Sequence, residues 1–191
     1  MNITDALLTN KIPRPQVPLD LVKAIVLHWP AVLRQRAMEV RNYWEGETNK
    51  VGSAHFVIDI DGTILRTIPE TEKAYAVGST LNDPASKRVY TDMARNIFGD
   101  YASGLLDTSP NRCTISMELC HVGSDGLMTS ETVISAIELC AELCKRYNLT
   151  PFTEVITHHD VVGWKDCPRW FVLHPDDLDE FRRNVSIKMG F

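Results

Sequence analysis

The stretch THHDVVGWKDCPRW, residues 157 to 170, brings two adjacent histidines, a lysine and a cysteine close together in the chain. A neutral imidazole and a thiolate are both good zinc ligands, and a lysine two residues before the cysteine can hold positive charge beside whatever the metal binds. The spacing alone also fits a packed loop, a structural zinc corner or a Cys-His nucleophile pair. The stretch therefore suggests half of a metal site, whose remaining ligands must come from elsewhere.

Two short apolar runs each lead into a histidine. The run KAIVLH, residues 23 to 28, ends in His28, and FTEVIT, residues 152 to 157, is followed by His158. The first run is short, continuous and apolar, as expected of a strand buried on both faces, and the second is predicted to be another buried strand. We expect both strands to be central in an α/β sheet. Because such sheets build their sites at the carboxyl edge of the strands, the two histidines can meet there. Cys167 can return to the same edge and complete a His, His, Cys set that leaves a fourth position for water.

A third predicted strand carries a carboxylate. The segment CTISMELC, residues 113 to 120, alternates strictly, so that Ile115, Met117 and Leu119 share one face while Glu118 points to the other. A carboxylate in that place can take a proton from a water that a metal has acidified. Each of these side chains alone is commonly structural, and it is their combination that favours a site.

Composition limits the class of protein. The chain has 191 residues, 44% of them hydrophobic and 24% charged, which suits one soluble domain with its own core. The net charge of -5 provides no electrostatic footprint for nucleic acid, and no apolar stretch is long enough to cross a membrane. The first residues lack a basic leader, so we expect synthesis in the cytoplasm without a secretory signal. Five cysteines, an odd number, then predict thiols rather than disulfides.

The remaining elements complete a single α/β domain with a central mixed sheet flanked by helices. Prolines at 13, 15 and 18 predict an extended arm over residues 1 to 20, and residues 21 to 191 form the domain. Residues 79 to 112 read as an irregular insertion with one helix around 87 to 98. The other predictions are a helix from Pro30 to Gly46, a hairpin turning at Asp61-Gly62, a strand or loop at KAYAVG, a helix over 129 to 147, and a final helix in HPDDLDEFRRNV.

The motifs together resemble a known family, the zinc-dependent N-acetylmuramoyl-L-alanine amidases, which include phage endolysins, muropeptide-recycling amidases and the related peptidoglycan recognition proteins. The resemblance runs from about residue 21 to residue 170. Its most distinctive motif is H-x-D-V followed by K-x-C-P. The matching stretches are IVLH, SAHFVIDIDGTI, AYAVG, TISMELC and HHDVVGWKDCP.

The resemblance implies a role for each candidate residue. It makes His28, His158 and Cys167 the ligands of Zn²⁺, with His158 preferred over His159 because the family's ligand stands two residues before the aspartate. It makes Glu118 the general base and acid, and Lys165 the side chain that stabilises charge on the substrate carbonyl oxygen. Tyr75, in the AYAVG stretch, is assigned to substrate binding.

The implied reaction is hydrolysis of the amide between N-acetylmuramic acid and L-alanine in peptidoglycan or muropeptides. Two alternatives remain: a peptidoglycan-binding module without catalysis, and a Cys167 nucleophile activated by His158. The biological setting is open between a phage or prophage endolysin, which is favoured, and a cytoplasmic recycling enzyme. Three departures from the family are Ala54, where some branches have a catalytic tyrosine, the extra Trp164, and the unmatched insertion over 79 to 112.

Overall fold

The computed structural model describes residues 1–49, 51–79, 89–104 and 109–191. The strands are β1 (Ile3–Asp5), β2 (Ala24–His28), β3 (Phe56–Ile58), β4 (Ile64–Arg66), β5 (Thr114–Leu119) and β6 (Val155–Thr157). The helices are α1 (Ala37–Glu45), α2 (Asp92–Phe98), α3 (Ser130–Tyr147), α4 (Pro151–Glu154), α5 (His158–Val162), α6 (Arg169–Leu173) and α7 (Pro175–Met189). Two short 3₁₀ helices cover Gly99–Ala102 and Pro110–Arg112.

The strands form one mixed sheet in the order β1-β4-β3-β5-β2-β6. The β3–β4 hairpin is antiparallel, whereas the other neighbouring pairs run parallel. This confirms the predicted α/β class and the hairpin. The expectation that both histidine-bearing strands are central is wrong for β6, which lies at the sheet's edge. The two strands are nevertheless neighbours, so their carboxyl ends meet.

The core lies between the sheet and helices α3 and α7. Ile115, Met117 and Leu119 point from β5 into this cluster, as the alternation predicts. Cys140 and Cys144 of α3 are fully buried there, and the whole cysteine set is present as buried free thiols. Burial of that apolar area stabilises the sheet face opposite Glu118, at about 25 cal/mol per Å².

Two boundaries, one of a helix and one of a strand, differ from the prediction. α1 begins at Ala37 rather than Pro30, because Arg34 adopts a left-handed φ of 58° and Arg36 is extended, which interrupts any helix through those positions. The predicted strand FTEVIT is a strand only from Val155, because Pro151 at the first helical position starts a helical turn there. α6 and the 3₁₀ helices are additional elements.

The N-terminal segment is more ordered than an extended arm. Ile3–Asp5 pairs in parallel with β4 and becomes the outer strand of the sheet. Leu8 is fully buried against the hairpin, so apolar burial holds the segment in place. Of the predicted insertion, α2 begins at Asp92, where the Thr91 side chain accepts the Ala94 N–H at 3.1 Å. KAYAVG is a loop, and residues 80–88 and 105–108 lie outside the described residues.

Within the described residues, none of the helices combines the length and apolar character needed to cross a membrane.

His55 is a buried histidine that connects the hairpin to β5. Its Nε2–H donates to the Glu72 carbonyl at 2.9 Å, and its Nδ1 accepts the Ser116 N–H at 3.0 Å. This arrangement requires the neutral imidazole, since a protonated Nδ1 would face another donor. Burial lowers the pKa of His55 to about 4 from the usual 6.5.

His55 should therefore make the apoprotein sensitive to acid. Between pH 6.5 and about 4 the unfolded chain binds a proton at His55 that the folded chain does not, so stability falls as pH falls through this range. Between about pH 7.5 and about pH 5, urea unfolding of the apoprotein should show that wild type loses about 2 kcal/mol more stability than His55→Gln, in which the buried His28 and His158 still contribute a loss. His174→Gln, which removes an exposed imidazole, is the control. Equal losses in wild type and His55→Gln would contradict this role of His55.

Candidate metal centre

The strand registers bring three of the candidate residues side by side. His28 at the end of β2 is the ladder partner of Glu118 on β5. On the other side of β2, Leu27 pairs with Thr157, the last residue of β6. His28 therefore lies between Glu118 and the residue that follows Thr157, which is His158.

His158 is held at the start of a short helix. The Thr157 hydroxyl accepts the Asp160 N–H at 3.0 Å, and the Asp160 carboxylate accepts the Thr157 N–H at 2.9 Å. This reciprocal cap fixes the first turn of α5, and His158 is its first residue. His159 instead turns towards the following loop, where its Nδ1 donates to the Lys165 carbonyl at 3.0 Å.

The loop that follows α5 returns Cys167 to the same edge. The His159 N–H donates to the Cys167 carbonyl at 2.9 Å, which ties the two ends of the loop together. Cys167 Sγ lies 3.7 Å from His28 Nδ1, and the rings of His28 and His158 have centroids 4.7 Å apart. One potential ligand atom from each of the three residues lies within 4.8 Å of the other two, and all three residues are buried.

The unpartnered atoms of this cluster fit a metal ion. Among the described residues, His28 Nε2, both ring nitrogens of His158 and Glu118 Oε2 are buried without a hydrogen-bond partner. Such atoms are costly to leave unsatisfied, and a bound ion would satisfy the ring nitrogens of this cluster. Two imidazoles and one thiolate are also the donor types that zinc prefers, and three protein ligands leave a coordination position for substrate or water.

The protonation states agree with a ligand set. Burial lowers the pKa of His28 well below its usual value and that of His158 to about 3, with Lys165 acting in the same direction, so both imidazoles are neutral. Burial raises the pKa of Cys167 to about 12. A nucleophilic cysteine needs a lowered pKa, so this environment does not favour the Cys-His nucleophile alternative. A bound cation would deprotonate the thiol outright.

Glu118 is the carboxylate at this edge of the sheet. Burial raises its pKa to about 7, partly opposed by the positive charge of Lys165. A carboxyl group with a pKa near neutrality can both accept and return a proton at the pH of the cell. Ala54, at the position of the tyrosine found in some branches, is fully buried and has no proton to transfer.

The candidate residues surround one cavity of about 580 Å³. His28, His158 and Cys167 line it together with Glu118, Lys165 and Tyr75, which brings the whole predicted set to one place. Lys73 Nζ lies 4.6 Å from the centroid of the Tyr75 ring, on the cavity wall. Sequence reasoning did not single out several other lining residues, among them Trp29, Trp44, Ser53, Asn111 and Arg112. The local sequence pattern does not predict that these residues line the cavity, because tertiary contacts bring them there.

Comparison with known proteins settles the family. A family model described as N-acetylmuramoyl-L-alanine amidase matches residues 18–170. The chain belongs to this amidase family. The N-acetylmuramoyl-L-alanine amidase CwlL of Bacillus licheniformis is 34% identical over 185 residues, which are 95% of this chain and 45% of CwlL. The amidase-family chain thus spans about half the length of the curated relatives it matches.

Solved structures show the same fold in PlyL and in the PlyG catalytic domain. PlyL is 22% identical, with a TM-score of 0.69 over 97% of both chains. The catalytic domain of PlyG is 20% identical, with a TM-score of 0.71 over 100% of this chain and 96% of that one. The resemblance and the fold inferred from sequence are therefore confirmed. Trp164, which the sequence comparison with the family predicts to be an extra residue, is 60% exposed and lines the cavity.

Proposed function

We propose that this chain hydrolyses the amide between N-acetylmuramic acid and L-alanine in peptidoglycan or soluble muropeptides. The observation that carries the proposal is the buried cluster of His28, His158 and Cys167 beside the Glu118 carboxylate, inside a cavity of an amidase-family domain. A cavity of this size accepts a sugar and part of a peptide.

We infer that His28, His158 and Cys167 hold Zn²⁺. The orphaned ring nitrogens and the mixed nitrogen and sulfur donor set support zinc over the hard cations, which prefer oxygen ligands. When bound, zinc supplies Lewis acidity towards the scissile carbonyl and towards a water molecule. The Asp160 cap on α5 and the backbone bond from His159 to Cys167 keep two of the ligands in place.

Glu118 is proposed to move the proton. It accepts a proton from the attacking water and returns it to the leaving nitrogen of L-alanine, and its pKa of about 7 suits both steps. Its buried Oε2 has no hydrogen-bond partner among the described residues, so this oxygen can accept a hydrogen bond from a substrate or a water molecule. Lys165 lines the same cavity, and its ammonium group stabilises negative charge on the carbonyl oxygen during attack.

The substrate is proposed to contact the part of the cavity wall that Tyr75 forms. Tyr75 presents an aromatic ring there, supported by the nearby Lys73 ammonium. Aromatic rings with one polar end bind sugars and peptide planes well. The activity is most simply that of an endolysin, because the solved structures of the same fold include a mutant endolysin from Bacillus subtilis.

A peptidoglycan-binding module without catalysis, or a recycling amidase acting on soluble muropeptides, would use the same cavity. A binding module does not need a carboxylate with a pKa near 7 beside a complete ligand set, and this combination supports hydrolysis. Mass spectrometry of digested wall and of soluble muropeptides distinguishes the cases. Hydrolysis at the proposed bond releases stem peptides that begin with free L-alanine and leaves the glycan chain uncut. If the protein binds peptidoglycan but releases no such peptide, the proposed hydrolysis is wrong. If it cleaves soluble muropeptides but not the wall, a recycling amidase is favoured.

A further inference from the structure

Asn111 is a buried side chain on the cavity wall. It lies in the 3₁₀ helix just before β5, and 7% of its surface is exposed. Its Oδ1 accepts two backbone hydrogen bonds, from Ala76 N at 2.9 Å and from Val77 N at 2.7 Å. Both partners are N–H donors, so the atom that faces them is the oxygen and the orientation of the amide is determined.

The other end of the amide is therefore the NH₂ group. Within the described part of the chain, Asn111 Nδ2 donates no hydrogen bond. Gly78 lies beside it, and a Cβ at that glycine would come within 3.6 Å of Nδ2. Gly78 and Asn111 both line the cavity, so the missing side chain leaves the donor open to a molecule bound there.

A donor held in this way has a limited choice of partners. Two backbone bonds fix the amide before any ligand arrives, so little rotational freedom is lost when a ligand binds. An NH₂ group cannot accept a hydrogen bond, and its best partner is a carbonyl or carboxylate oxygen. Muropeptides carry such oxygens in the peptide stem and in the N-acetyl and lactyl groups.

We propose that Asn111 Nδ2 donates a hydrogen bond to a carbonyl or carboxylate oxygen of the substrate and so contributes to substrate selection. This inference rests on the proposed function, because it takes a muropeptide as the occupant of the cavity. Asn111 belongs to neither the metal cluster nor the proton-transfer machinery. Its effect should therefore appear in KM more than in kcat.

Asn111→Asp separates this role from a purely structural one. The aspartate keeps an oxygen that accepts the Ala76 and Val77 N–H groups, while an acceptor replaces the donor that faces the cavity. We expect its melting temperature and zinc content to match wild type, with KM raised about 30-fold and kcat within about threefold. Asn111→Ala, which loses both backbone bonds, should lower the melting temperature as well.

If Asn111 has only a structural role, Asn111→Asp should be about as active as wild type, because it keeps the backbone bonds. Asn111→Ala, which loses those bonds, should be impaired. An unchanged KM in Asn111→Asp would overturn the inference and leave the proposed hydrolysis standing. A substrate whose peptide stem is shortened to L-alanine shows where the acceptor oxygen lies. With this substrate, the rise in KM of Asn111→Asp persists if the oxygen belongs to the sugar or lactyl part. The rise disappears if the oxygen belongs to the rest of the stem. If the wild type does not hydrolyse muropeptides, the proposed function is wrong, and calorimetric binding of the intact muropeptide then tests the inference by itself. Equal affinities of wild type and Asn111→Asp would overturn the inference.

Discussion

Glu118→Gln should lower kcat for amide hydrolysis by about 10²- to 10⁴-fold while the protein stays folded and keeps its zinc. The substitution preserves the shape of the side chain and removes its ability to carry a proton. Because burial raises the pKa of Glu118 to about 7, the ionised form destabilises the fold as pH rises through that value. Without zinc, the neutral glutamine variant should therefore be at least as stable as wild type at about pH 8.

The measurement is a set of steady-state rates on a soluble muropeptide, with zinc content and urea unfolding determined on the same preparations. Glu142→Gln, which neutralises an exposed carboxylate on α3, is the matched control and should retain the wild-type rate. A Glu118→Gln enzyme that turns over at close to the wild-type rate would remove Glu118 from the mechanism. Loss of zinc in that variant would instead assign Glu118 to the metal centre.

Cys167→Ser should weaken zinc binding by about 100-fold or more and reduce activity accordingly at limiting metal. A serine hydroxyl is a poor zinc ligand, and Sγ of Cys167 is buried 3.7 Å from His28 Nδ1, where the thiolate would complete the ligand set. Competition with a chromophoric chelator measures the affinity. Cobalt substitution adds a direct signature, because a thiolate ligand gives a charge-transfer band that the variant should lack.

Cys113→Ser is the matched control for this substitution. Its sulfur is also buried, but it lies 3.5 Å from the Pro110 carbonyl, to which a serine hydroxyl can donate. We expect this variant to bind zinc as wild type does. A Cys167→Ser protein with unchanged zinc affinity would show that the metal, if any, is held elsewhere. Activity that survives full chelation but is lost on alkylation of Cys167 would instead support the cysteine nucleophile.

The sequence allowed much of the sheet to be predicted because its signals are local. Strict alternation determines which face of β5 carries Glu118, and the Asp61-Gly62 turn marks the hairpin. The run leading into His28 is apolar throughout because β2 has neighbours on both edges and is buried on both faces. In each case the side-chain pattern itself follows from the environment of the strand.

The remaining features depend on contacts between distant parts of the chain. Nothing local distinguishes the edge position of β6 from a central one, since its three residues are fully buried either way. The late start of α1 follows from the left-handed conformation at Arg34, a residue whose type does not favour it. The role proposed for Asn111 could not be predicted from the sequence, because it depends on the Ala76 and Val77 N–H groups that fix the orientation of its amide.

The most direct test of the account is a stepwise return of zinc to metal-free protein, with release of L-alanine amino termini from purified peptidoglycan measured at each step. If His28, His158 and Cys167 hold one catalytic ion, activity should be absent at the start, rise in proportion to added zinc and level off at about one ion per chain. Full activity before any zinc is returned, or bound zinc that restores no release of amino termini, would contradict a zinc amidase.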